Sequence, residues 1–235
     1  MRVALSYFAA SMCALNLQTK KSELAITVTL QLPPLPEIHH PKVQSLFQKS
    51  DRELVSLFQL HPEEGQFFAA IFCRYGQVLY TLIGTATRSP VQSDYLFVKT
   101  WEYIYHEMRV LDLRTTAPHL SLQSWLINIA AMMINRAEVP PVEDIQYSLK
   151  DTPPVFWCYL NQALNQMAGN LRLILLLSQT FQWSHTRIAA YLQAEGENIS
   201  ASDVKQLLVS AYNALESALP EDIRDIYLAQ TPVTV

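Results

Sequence analysis

"WSHTRIAAYLQAEGENISASDVKQLL", Trp183 to Leu208, is the stretch on which the fold turns. Ser184 stands where a side-chain oxygen can accept from the first free backbone N–H groups of a helix, and Ile188, Ala189 and Leu192 then recur at helical spacing. The small Ala189 and Ala190 permit close approach of another helix, and Gly196 allows a tight C-terminal turn. "SASD", Ser200 to Asp203, is a capping box with Asp in place of the usual Glu or Gln, followed by Val204, Leu207, Leu208, Ala211 and Leu215 on one face. Two short helices joined by a turn, behind an apolar helix, make a helix-turn-helix, which lays its second helix in a DNA major groove. The side chains left facing outward there are Ser202, Asp203, Lys205, Gln206 and Ser210.

Upstream, "LNQALNQMAGNLRLILLLSQTF" supplies the apolar helix through Leu160, Leu164, Met167, Leu171, Ile174, Leu175 and Phe181; its run Leu173 to Leu177 is too short for a membrane. Before it, proline pairs at Pro140-Pro141 and Pro153-Pro154 interrupt helices and mark a linker at 138–154. Four helical segments precede the linker. "SDRELVSLFQL" has Ser50 or Asp51 as N-cap and Glu53 in its first turn. "HPEEG" opens the next with Pro62 in the first turn, and Phe67, Ile71, Tyr75, Val78, Leu79 and Leu82 form its stripe. "RSP", Arg88 to Pro90, ends it; the third is capped by Ser93 or Asp94 and buries Leu96, Trp101, Ile104, Tyr105 and Met108. The fourth begins at Ser121 and buries Leu122, Trp125, Leu126, Ile129, Met132 and Met133. The fold expected is all-α, with two helical domains at 50–137 and 155–235 joined by the Pro-rich linker and preceded by an extension and linker at 1–49.

Bulk properties exclude several function classes. With 235 residues, half of them hydrophobic, and a net charge of −4, the chain has a sizeable core but no basic excess with which to hold nucleic acid unaided. Cys13, Cys73 and Cys158 lie far apart without metal-ligand spacing, arguing against a disulfide framework or a zinc site and for a reducing cytoplasm. "VALSYFAASMCALNL" has the length of a signal-peptide core, but only Arg2 precedes it and no small-x-small cleavage site follows before Lys20 and Lys21. His39 and His40 read as solvated linker residues after an extended arm, and the four tryptophans as core. His106, His119 and His185 stand apart, with no HExxH-like pairing. There is no Gly-rich phosphate loop, G-x-S-x-G elbow or Cys-His signature, so neither an enzyme nor a cofactor is expected.

A resemblance joins the two halves. "DYLFVKTWEYIY" from Asp94 is similar to the second-region helix of bacterial sigma factors of the extracytoplasmic-function type, commonly written E-D-L-x-Q-E-x-F-x-x-x-W. "SWLINIAAMMINR" resembles the element that follows it, and the C-terminal part resembles that family's fourth region. Trp125, Ile129, Ala130, Arg172, Ile188, Ala189, Val204, Ala211 and Leu215 fall on matching positions, across about Ser50 to Leu219. The resemblance implies a cytoplasmic initiation factor that binds core RNA polymerase and directs it to promoter DNA, with an anti-sigma protein as a further partner it allows and no membrane. On this reading Asp94, Lys99 and Glu102 face polymerase from one exposed helix surface. DNA contacts fall to His185, Arg187, Ser202, Lys205, Gln206 and Arg136, with Gln206 suited to an adenine edge.

This sequence departs from the pattern at Val98 and Lys99, where the family has Gln and Glu, and at Ala131-Met132, where it has Arg-Asn. Arg187 replaces a Glu before Ile-Ala, and extra residues in "QAEGENIS" lengthen the turn. Phosphate contacts from Arg172, Arg187 and Lys205 would give a salt slope of only about −3, with Glu195, Glu197 and Asp203 opposing them. Two alternatives stand beside the initiation factor. One is a sigma-like regulator that docks on polymerase or another protein without reading DNA; the other is a helical ligand-binding protein or enzyme.

Overall fold

The computed structural model describes residues 31–112 and 121–229. Among them all regular structure is helical, with ten α-helices, two 3-10 turns and no strand. Chain order is a 3-10 turn at Pro36–His39, then α1 (Pro41–Gln44), α2 (Asp51–Leu60), α3 (Gln66–Ala86), α4 (Pro90–Met108) and α5 (Leu122–Arg136). A second 3-10 turn at Val142–Asp144 leads to α6 (Pro154–Gln166), α7 (Gly169–Gln179), α8 (His185–Ala194), α9 (Ala201–Ala218) and α10 (Glu221–Tyr227).

Helix α3 is the axis. Its sequence is apolar nearly all round, with Phe67, Phe68, Ala69, Ala70, Ile71, Phe72, Tyr75, Leu79, Tyr80 and Ile83 buried, so it is wrapped by α1, α2, α4, α5 and α6. By length and composition it is the one helix among the described residues that could cross a membrane, but most of it is enclosed by the rest of the protein. Phe68, Phe72, Phe97, Trp101 and Tyr105 form a chain of edge-on rings between α3 and α4.

Local signals hold at several helix starts. Ser50 and Glu53 form a reciprocal capping box, and Ser121, Ser184 and Ser200 each accept from a backbone N–H of the first turn. Two starts differ from expectation. Helix α4 is capped by Ser89 with Pro90 at its first position; Ser93 is buried and bonds Ser89 O instead, because the proline that ends one helix is also suited to begin the next. Helix α3 begins at Gln66 and not in "HPEEG"; its Gln66 N–H is bonded by the Asp222 carboxylate at 2.6 Å, a cap supplied by α10 from 156 residues away.

The Pro-rich stretch separates helices as expected, yet the core is continuous across it. Leu149 and Thr152 are buried, Tyr147 donates to Thr152 O at 2.6 Å, and Gln92 reaches Pro140 O at 3.2 Å. Every residue from Thr152 to Leu160 is buried. No charged residue lies between Thr152 and Gln166, and α6 packs among α3, α4, α9 and α10, giving water only the polar side that carries Asn165 and Gln166. Of the two arrangements that such a division allows, halves sharing little buried surface or halves packed together by way of the linker, the continuous core matches the second. Helices α1 and α10, the first and last α-helices of the described residues, also meet through an ion pair of 2.6 Å between Lys42 and Asp225. Within 31–49 the chain is not a wholly solvated linker: His39 is exposed, as read, but Leu35, Val43 and Leu46 are buried, and His40 Nδ1 is enclosed without a hydrogen bond.

Candidate nucleic-acid interface

Helices α8 and α9 form the expected pair. Ile188, Ala189 and Leu192 face inward from α8, and Val204, Leu208, Ala211 and Leu215 from α9, against α7. The connecting turn closes on Gly196 at φ 95°, a conformation that costs glycine nothing. Glu197 N donates to Leu192 O at 3.0 Å and Gln193 Nε2 to Ile199 O at 2.6 Å, so the lengthened turn is braced at both ends.

His185, Arg187, Ser202, Lys205 and Gln206 are all exposed. Ser202, Lys205 and Gln206 make no hydrogen bond or ion pair with the described residues, which leaves their polar ends available. Asp203 is committed: its Oδ2 accepts from Ser200 N at 2.8 Å and Ser200 Oγ at 2.7 Å, and these bonds hold its carboxyl below the usual carboxylate range. Arg187 lies 4.2 Å over the Trp183 ring, which fixes the guanidinium plane and leaves its N–H edges free. Arg136 is exposed but ends α5, which packs on α3 and α4, so it stands on a different part of the protein from the helix pair.

Phe181, Trp183 and Tyr191 form an aromatic cluster on the Arg187 side of α8, with centroids 6.1 and 5.7 Å apart, which the sequence reading missed. Trp183, Arg187 and Tyr191 stand at intervals of four, which was the available signal, and Trp183 is accordingly a partly exposed platform and not a core tryptophan like Trp101.

Of the residues expected to face polymerase, Lys99 keeps a 40% exposed side chain, whereas Asp94 and Glu102 are more covered than expected. Asp94 accepts a hydrogen bond from Tyr80 at 2.7 Å, and burial raises its pKa. Glu102 has a side chain only 17% exposed; it pairs with Lys99 at 2.8 Å and accepts from Asn161 of α6 at 2.8 Å. Tyr105, Arg109 and Gln162 extend this polar seam between α4 and α6. The α4 surface holding Asp94 and Glu102 is thus turned toward α3 and α6, whose Tyr80 and Asn161 bond these carboxylates.

Among the described residues, His61, Glu63 and Glu64 form one group of metal-type side chains that come together, on the surface beside α3. Cys73 and Cys158 are free thiols, both pushed up by burial; Cys13 and His119 lie outside the described residues. No family model, curated protein or solved structure matches this chain.

Proposed function

We propose that this protein is a sigma-like transcription initiation factor without enzymatic activity of its own, acting in the cytoplasm with core RNA polymerase on promoter DNA. In this reading 50–137 is the second-region-like bundle and 155–235 carries the fourth-region-like helix-turn-helix. One observation carries it: the α8–α9 pair, capped at both starts and braced through its turn, presents Ser202, Lys205 and Gln206 unpartnered beside the exposed Arg187 and His185. The few cations available mean that polymerase supplies most of the affinity and this pair supplies position and base choice. Purified full-length protein added to core polymerase should start transcription from genomic fragments that core alone ignores. Replacing Arg187, Lys205 and Gln206 together by alanine should abolish the start sites; retention of the same starts would refute promoter reading by α8 and α9.

A second reading has its own support. The exposed Phe181 and Tyr191 and the partly exposed Trp183, beside Arg187, are among the residue types that concentrate binding energy at protein interfaces. They favour a regulator that docks on polymerase or another protein without reading DNA. Binding to polymerase with no change in start-site choice, lost in Trp183→Ala, would select it.

A further inference from the structure

Two cavities adjoin along the outer face of α2. One, of about 390 Å³, is lined by Arg52, Ser56, Gln59, Arg109, Val110 and Asp112 among others. The next, of about 370 Å³, is lined by Lys49, Arg52, Glu53, Ser56 and Leu57. Arg52 and Ser56 belong to both, so the two form one groove. Arg52, Ser56 and Gln59 recur at intervals of four and three, which sets them along one side of the helix, and Lys49 stands just before its Ser50 cap.

The groove carries three cations against two carboxylates in a chain whose net charge is −4. One of those carboxylates, Glu53, is turned back onto Ser50, accepting from its N at 2.8 Å and its Oγ at 2.6 Å. Arg109 is held in place: its guanidinium lies 4.8 Å over the Tyr105 ring, and Nη2 donates to Tyr105 Oη at 3.1 Å and Gln162 Oε1 at 3.0 Å. Its Nε is buried without a hydrogen-bond partner. Gln59 Nε2 ties the wall together by donating to Met108 O at 2.8 Å and Leu111 O at 2.7 Å. Arg52 is exposed and makes no ion pair with the described residues, leaving its fork free over a cavity with a hydroxyl beside it.

We propose that this groove binds a ligand bearing at least two phosphates, gripped by the free fork of Arg52 and by Lys49, with Arg109 adding fixed positive charge from the groove wall and Ser56 a hydroxyl. A guanidinium fork matches the paired oxygens of a phosphate, and an ammonium adds a less directional charge. Cations spaced along a groove suit charges repeated along a ligand, as in a nucleic-acid strand or a free oligophosphate. The larger cavity is mainly polar and offers few anchors of the kind an acidic peptide would need. The groove lies on α2 and the end of α4, so its occupancy does not depend on whether α8 and α9 read DNA.

The test uses the full chain, titrated with tripolyphosphate, with a fluorescein-labelled oligothymidylate and with oligoglutamate, each against sodium chloride of matched ionic strength. Arg52→Glu is the decisive variant, since an exposed acid in the first turn of α2 favours the helix and keeps the fold. At least one phosphate probe should bind, roughly tenfold more weakly in Arg52→Glu and unchanged in Lys205→Ala. Tripolyphosphate binding alone identifies a free oligophosphate; Arg52-dependent oligothymidylate binding, with a salt slope shallower by about 0.7 in the variant, identifies a strand. The proposal is overturned if neither phosphate probe binds, if Arg52→Glu binds as well as the parent, if binding is lost in Lys205→Ala instead, or if only oligoglutamate binds.

Discussion

Glu37 is wholly enclosed, and neither oxygen of its carboxyl makes a hydrogen bond. Burial pushes its pKa up from 4.5 to about 7, opposed only in part by its own backbone N–H and by the Tyr227 hydroxyl, which stands close without completing a hydrogen bond. Between those values the folded chain keeps a proton that the unfolded chain has lost. Stability is therefore undiminished below about pH 4.5 and falls as pH rises to about 7, by about 3 kcal/mol in all. Glu37→Gln should remove this loss: urea unfolding at pH 8 should find the variant about 2–3 kcal/mol more stable than the parent, with little difference at pH 5. Gly65 is constrained from the other side of the same region. A Cβ there would stand 2.2 Å from Ile223 Cδ1 and 3.0 Å from Tyr159 Cε2, and Ile223 is itself fully buried. Gly65→Ala should cost about 1–3 kcal/mol, read from thermal unfolding.

Among the elements, α9 holds the clearest division of labour between cap and reader. Ser200 and Asp203 close its N-terminus on each other, so Ser200→Ala should cost about 1 kcal/mol of stability while leaving the outward side chains in place. If α9 lies in a major groove, Lys205 and Gln206 separate by chemistry. Lys205→Ala should weaken all promoters alike through a lost phosphate contact, whereas Gln206→Ala should relax one base preference worth about 1–3 kcal/mol. Both effects are to be measured as open-complex formation with polymerase present, since so few cations hold duplex DNA poorly alone. Charge reversal at Asp94 or Glu102 belongs to another class. These side chains bond Tyr80 and Asn161, so reversal should lower the thermal midpoint before it reports on any partner.

At the scale of the whole molecule, α6 and α10 decide the behaviour. Helix α6 lies between α4 and α9, while α10 returns to cap α3, pair with Lys42 and stack Tyr227 on Phe156. Chemical unfolding should therefore show one transition with coincident fluorescence and helicity signals; two separated transitions would show that the halves fold independently. Among the described residues, limited proteolysis with a Glu-specific enzyme should cut first at Glu195 or Glu197, where residues 193–198 are all exposed, a longer exposed run than 141–144 around Glu143.

The sequence alone determined the helices and most of their buried faces, because periodicity and capping are local: Ser50 with Glu53, Ser184, Ser200 with Asp203, and the stripes of α3, α4, α8 and α9 could be read from neighbours a few residues apart, save Val78 of the α3 stripe, which is 41% exposed. It also determined which α9 side chains face outward. It did not determine where α3 begins, since its cap is Asp222, nor that Asp94 and Glu102 are covered, since their partners are on α3 and α6. The groove on α2 was equally illegible, because Arg52 and Arg109 meet only when the end of α4 is folded beside it. Tertiary structure alone decided these points. The prolines at 140–141 and 153–154 interrupt helices locally, but whether the C-terminal helices separate from α3 and α4 or pack on them depends on α6, whose apolar residues Val155 to Leu160, Ala163 and Leu164 are buried against distant elements.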